Sequence, residues 1–194
     1  MLNRTPTFYY DLMSPYAYLA AERIDRVLPE AVRWQPVLLG GLFKLTGRGS
    51  WALGDYERRR RGMAEIERRA HQYGLPPLRW PDPWPSSSLE AMRAAIFARG
   101  AGRERDFAAA AFDVAFVQGH DLGETRHVLA AAEGAGLDRV EVEAAIADRS
   151  IKDQLRADTD EAHATGVFGV PTVAVGEELF WGDDRLEEAA AALR

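Results

Sequence analysis

The chain has 194 residues, 47% of them hydrophobic, enough to bury a substantial core without disulfide staples. Its 24 Lys plus Arg against 30 Asp plus Glu give a net charge of -6, which argues against a nucleic-acid partner. Cysteine is absent, so disulfides, thiolate metal sites and a protein-borne redox dithiol are excluded.

Thr7 to Tyr10 is a β-branched and aromatic run of the kind that forms a strand. Ser14-Pro15 then opens a helix, because a Ser oxygen accepts from a free amide of the first turn and Pro suits the first helical position. Tyr18, Leu19, Ile24, Val27 and Leu28 continue at helical spacing, and Pro29 ends the pattern. Val32 to Leu39 reads as a second strand, with Pro36 marking an edge, a bulge or its end, and Gly40-Gly41 breaking it. Residues 42–56 follow as a short helix and a Gly-rich loop carrying Lys44, Arg48 and Trp51.

From Tyr56 to Tyr73, Met63, Ile66, Ala70 and Tyr73 share one helix face, with Glu57/Arg61 and Glu65/Arg69 as four-apart pairs elsewhere. The arginine run reads as a solvated face; as an anion patch it needs convergence with groups from other elements. LPPLRWPDPWPSSS holds Trp80 and Trp84 in a Pro-rich loop, and Ser87 with Glu90 has the spacing of a capping box for LEAMRAAIFARG. Amphipathic segments follow near 104–118, 125–133, 138–148 and 150–165. Thr172 to Val175 and Glu178 to Trp181 flank a Gly176-Glu177 turn as a hairpin, and Asp183 is placed to cap a last helix.

No apolar run approaches the roughly 18 residues of a membrane span, and the N-terminus has no leader-like core. A cytoplasmic protein with no membrane partner is expected. The four histidines, at 71, 120, 127 and 163, lack metal-ligand spacing, so no metal is expected.

The element order defines an α/β chain with a thioredoxin-like fold, formed by residues 1–41 and 166–194, and a large helical insertion, 42–165, between its second and third strands. Three separated motifs, DLMSPYAYLA, LLGGLFKLTG and GVFGVPTVAVGEELFWGDDRL, resemble those of the 2-hydroxychromene-2-carboxylate isomerases and kappa-class glutathione transferases, the DsbA-like branch of the thioredoxin superfamily. The resemblance implies that Ser14 stands where redox-active relatives have a nucleophilic cysteine, and that it points at the sulfur of bound glutathione. It implies a cis peptide at Val170-Pro171 whose backbone pairs with the cysteinyl part, and Asp184 with Arg185 at the γ-glutamyl end. A homodimer is implied too. Arg48 and Ser87-Ser88 depart from the family's usual Asn and Asn-Thr.

No histidine or carboxylate pattern announces a base for Ser14, so covalent serine catalysis is not expected. A serine hydroxyl at a helix N-terminus can instead stabilise a thiolate supplied by a ligand, since thiol pKa values drop from about 8.5 to roughly 3.5–7.5 in such surroundings. The cofactor expected is therefore glutathione or another low-molecular-weight thiol. The resemblance implies reversible addition of that sulfur to a conjugated aromatic acid, permitting cis-trans isomerisation. Lys44 and Arg48 are candidates for the substrate carboxylate, and Trp51, Trp84 and Phe43 for its apolar walls. A transferase that keeps the thiol adduct and a redox-silent binding module are the competing classes.

Overall fold

The structure, a computed structural model, describes residues 5–194. Four strands form one mixed sheet in the order β2-β1-β3-β4. β1 (Thr7–Tyr10) runs parallel to β2 (Arg33–Pro36) and antiparallel to β3 (Thr172–Val175), which pairs antiparallel with β4 (Glu178–Trp181). β1 is central and every residue of it is buried. Alternation then sends Phe8 and Tyr10 to one face and Tyr9 to the other, and each face needs its own cover.

Phe8 and Tyr10 pack with helix α1 (Pro15–Val27) and with α4 (Leu89–Gly100) and α5 (Glu104–Phe112) in the main core, where Trp34 meets both rings edge-on. Tyr9 packs with Val37, Leu42 and Ala162 beneath α2 (Leu39–Thr46) and α8 (Arg149–Ala164). Burying rings of this size contributes about 1.5–3 kcal/mol each, so the central strand anchors both layers. Between β2 and β3 lie α2, a short 3-10 turn (Trp51–Leu53), α3 (Tyr56–Gln72), α4, α5 with a π-helical continuation (Asp113–Val117), α6 (Thr125–Gly134), α7 (Arg139–Ala147) and α8. α4 packs against α5 through α8 and is the hub of this helical layer.

The expected boundary between residues 41 and 42 falls inside α2, and that between 165 and 166 in the turn after α8; the first four residues of the 1–41 segment lie outside the described residues. β2 is an edge strand with Pro36 as its last residue, and it ends three residues earlier than the apolar run suggests. The cause is Asp11: its Oδ2 accepts the amide of Leu39 at 2.8 Å, which turns the chain into α2. The strand has therefore ended before Gly40 and Gly41, which sit in the first turn of a helix that starts ahead of residue 42, and a Cβ on Gly41 would stand 3.0 Å from Thr159 of α8. The capping box does not form either: Ser88 is the N-cap of α4, its hydroxyl donates to Asp11, and Glu90 accepts from Thr125. Asp183 opens a 3-10 turn (Asp183–Arg185) ahead of the last helix, α9 (Leu186–Ala192), and its carboxylate is taken by Arg69 of α3 and by Tyr73 just after that helix.

Candidate active site

β1 ends at Tyr10, and the next four residues carry the chain to α1 with their polar groups held in place. Ser14 is the N-cap of α1: its Oγ accepts from the amide of Ala17 at 3.2 Å, and its own amide donates to the carbonyl of Asp11 at 3.0 Å. The side chain is 5% exposed and lines a cavity of about 630 Å³. Because the cap bond uses a lone pair, the Ser14 hydrogen remains available to a ligand. The free amides of the first turn add positive potential beside it.

Asp11 organises the cavity floor and was not singled out by sequence. It is 2% exposed and makes no ion pair among the described residues; its Oδ1 accepts from the Met13 amide at 3.0 Å, and its Oδ2 from the Leu39 amide and the Ser88 hydroxyl at 2.8 and 3.0 Å. Burial pushes its carboxyl above the ordinary range, while the three donors pull the other way. One side chain thus fixes the β1 end and the starts of α2 and α4 around the same opening.

The wall opposite is aromatic. Trp51 lies 5.5 Å from Trp84 and 6.3 Å from Tyr16, and all three line the cavity. Trp51 sits over Gly62 of α3, where a Cβ would come within 2.2 Å of its ring. Trp84 is buried between Trp51 and Trp80, with its Nε1 unpartnered. The mouth carries cations: Lys44, Arg48 and Arg58 line it, none in an ion pair with another described residue, and the Arg48 guanidinium lies 4.1 Å from the centre of the Phe168 ring. The arginine run of α3 therefore splits. Arg60 and Arg68 make exposed pairs with Glu57 and Glu65, Arg58 reaches the cavity, and Arg69 bridges to Asp183. Of the four-apart pairs, Glu65/Arg69 forms at 2.8 Å, whereas Arg61 meets only the carbonyl of Glu57.

The Val170-Pro171 peptide is cis. Val170 lines the cavity, and its amide and carbonyl make no hydrogen bond to any described residue. Such a free backbone edge fits an extended peptide-like ligand. Pro171 accepts the amide of Gly182 through its carbonyl at 3.0 Å and is not part of the lining.

Seven of the residues expected from sequence, Ser14, Phe43, Lys44, Arg48, Trp51, Trp84 and Val170, are thus brought to one opening. Asp184 and Arg185 lie outside its lining: Asp184 approaches Arg69 at 3.2 Å, and Arg185 pairs with Glu188. Among the described residues no group of three or more His, Asp or Glu could hold a metal, and no helix is long and apolar enough to cross a membrane.

This arrangement defines the class of protein: a thioredoxin fold of the DsbA type in which serine occupies the helix-start position. The chain belongs to the DSBA-like thioredoxin domain family, whose model matches residues 7–194. Within it, the chain is 27% identical over 96% of its length to the 2-hydroxychromene-2-carboxylate isomerase of Sphingobium xenophagum, of which the match covers 96%. It is 28% identical to the human glutathione S-transferase kappa 1, over 99% of this chain and 92% of that one. Its backbone is similar to that of a solved 2-hydroxychromene-2-carboxylate isomerase, with a TM-score of 0.82, 23% identity, and 97% of this chain and 94% of that chain covered.

Proposed function

We propose that the protein is a glutathione-dependent isomerase of the 2-hydroxychromene-2-carboxylate type, acting on an intermediate of aromatic degradation. The observation that carries the reading is a buried Ser14 with its hydrogen free, beside the unpaired backbone of Val170, in a chain that has no cysteine. A bound thiol would supply a reversible nucleophile for the conjugated acid. Ser14 and the first-turn amides would hold its negative charge, and Val170 would pair with its peptide backbone. Asp184 and Arg185 would have to be approached from the rim. Lys44, Arg48 and Arg58 would meet the substrate carboxylate while Trp51 and Trp84 exclude water from the reacting carbons.

The likeness to a kappa-class transferase supports a second reading, in which the thiol adduct is retained. Assays with 2-hydroxychromene-2-carboxylate and with a chlorinated aromatic electrophile, each with and without glutathione, separate the two; silence with both favours a binding module. Ultraviolet titration with glutathione near neutral pH tests the thiolate directly. A signal in the wild-type protein that persists undiminished in Ser14→Ala refutes the role given to that hydroxyl. A homodimer and a cytoplasmic location complete the proposal, the former checked by light scattering and the latter by fractionation of the native host.

A further inference from the structure

Of the serines that line the cavity, Ser14 and Ser86 make hydrogen bonds of opposite polarity. Ser14 accepts from Ala17, so its hydrogen is free. Ser86 donates to Oδ1 of Asp121, and the Met13 sulfur lies 4.0 Å from its hydroxyl. A hydroxyl has one hydrogen, and the carboxylate takes it. What Ser86 then turns toward the cavity is lone pairs.

Asp121 is built to keep that polarity. It is 7% exposed and makes no ion pair among the described residues; its Oδ1 also accepts the Gly123 amide at 2.7 Å, and His127 donates from Nδ1 to its backbone carbonyl at 2.8 Å. Gly123 leaves room for the contact, since a Cβ there would stand 3.0 Å from Oδ1 of Asp121 and 3.3 Å from Oγ of Ser86. An anion behind a hydroxyl strengthens that hydroxyl as an acceptor, because hydrogen bonds in the chain polarise one another. Apart from Asp11 every charged group lining the cavity is a cation, and of the two lining serines whose hydrogen a carboxylate takes, Ser88 is buried against Asp11 whereas Ser86 is half-buried, so Ser86 is an acceptor open to a neutral donor on the ligand.

We propose that Ser86, with Asp121 as its positioning residue, forms an acceptor subsite that reads a hydroxyl on the aromatic acid bound in the cavity. The proposal deepens the functional reading and rests on it only in taking an aryl carboxylate as the second ligand. The site selects against ligands in which that hydroxyl is masked, because an acceptor that the bound ligand covers and leaves without a donor is penalised.

The test is a tryptophan-fluorescence titration with 2-hydroxycinnamate and 2-methoxycinnamate, which share ring and carboxylate and differ in the donor. The wild-type protein is expected to bind the hydroxy acid at least tenfold more tightly. Ser86→Ala brings the two within twofold of each other. Asp121→Asn, which keeps an Oδ1 acceptor for Ser86 and Gly123 and therefore the fold, shrinks the ratio without matching loss of affinity for the methoxy acid. A wild-type ratio within twofold, a ratio that survives Ser86→Ala, or no binding of either acid overturns the subsite. The thiolate titration with Ser14→Ala does not depend on any of these outcomes, so the two readings fail separately.

Discussion

Two aspartates, each almost wholly buried, stand at the two places where the sheet region meets the helical layer, and they are answered differently. Asp11, at the end of β1, is held by two amides and a hydroxyl. Asp183, before α9, is held by cationic and phenolic side chains: Arg69 at 2.9 Å and the Tyr73 hydroxyl at 2.9 Å, while Arg23 donates to its carbonyl and pairs with Glu187. Burial raises the carboxyl pKa at both sites, and Tyr73 is pushed up to about 12, chiefly by its own burial and then by its bond to Asp183. The difference teaches how a site is kept available. Neutral donors satisfy Asp11 without drawing a cation into the cavity floor, so Lys44, Arg48 and Arg58 stay free at its mouth. At Asp183 the cations are consumed in joining α1, α3 and α9.

The sharpest way to break the comparison is at the ionic junction. Asp183→Ala leaves Arg69 with only the partly exposed Glu65 and Asp184 and orphans the Tyr73 hydroxyl. Removing one partner of a buried pair costs about 3 kcal/mol. For a chain of this size that is a fall of roughly 6–12 °C in Tm, read by calorimetry. Equal loss from a surface control such as Glu57→Ala would refute the assignment.

Asp11→Asn tests the neutral junction and is expected to cost less, about 1–3 kcal/mol, because an amide can match only one of the two sets of donors. Its pH dependence fixes the sign of the burial effect. A carboxyl whose folded pKa is raised contributes stability that is complete below its unfolded value, about 4, and is lost as pH rises through the folded value. The gap in stability between wild type and Asp11→Asn is therefore wider at pH 4 than at pH 7. A gap that narrows on acidification contradicts the raised pKa.

Gly62→Ala comes next. In an exposed helix interior this change gains about 1 kcal/mol. Here the new Cβ meets the Trp51 ring at 2.2 Å, and the indole must leave its seat. Overpacking of this kind costs about 1–3 kcal/mol, so a net loss near 1 kcal/mol is expected, with a shift in tryptophan emission as Trp51 moves. A gain in stability would show that the aromatic wall of the cavity does not depend on the bare backbone of α3.

Much of this was legible beforehand. The strands at 172–175 and 178–181, the start of α1 and the helical block follow from period and punctuation, which are local. So does the cap at Ser14. What was illegible depends on long-range pairing: Asp11 with Leu39 and Ser88, Ser86 with Asp121, and Arg69 with Asp183 lie 28, 77, 35 and 114 positions apart. Asp11 left one faint signal, an acid directly after the apolar run FYY. Ser86 left none, since all three serines of the run line the cavity and nothing local distinguishes the one that Asp121 takes. The expected cap at Asp183 and the capping box at Ser87 failed for one reason: local propensity was outbid by a partner from another element.

The smallest effects on stability carry the comparison furthest. Lys44→Met and Arg48→Met remove cations that make no ion pair among the described residues, so each should change stability by no more than a surface substitution does, within about 0.5 kcal/mol. Their role, on the contrast drawn above, is reserved for a ligand. An exposed ion pair is worth up to about 1 kcal/mol, so each variant should raise the KM for an aryl carboxylate about fivefold while leaving kcat and the glutathione-dependent thiolate signal in place. Arg48 should show the larger change, because its stacking on Phe168 already fixes the guanidinium at the mouth, whereas Lys44 must give up side-chain freedom to reach the same anion. Salt provides the control: at about 1 M the Debye length falls to 3 Å, and the wild-type KM should rise toward that of the variants. If high salt raises all KM values in parallel, the two cations are ordinary surface charges, and the distinction between a floor satisfied by neutral donors and a junction built from ions loses its functional meaning.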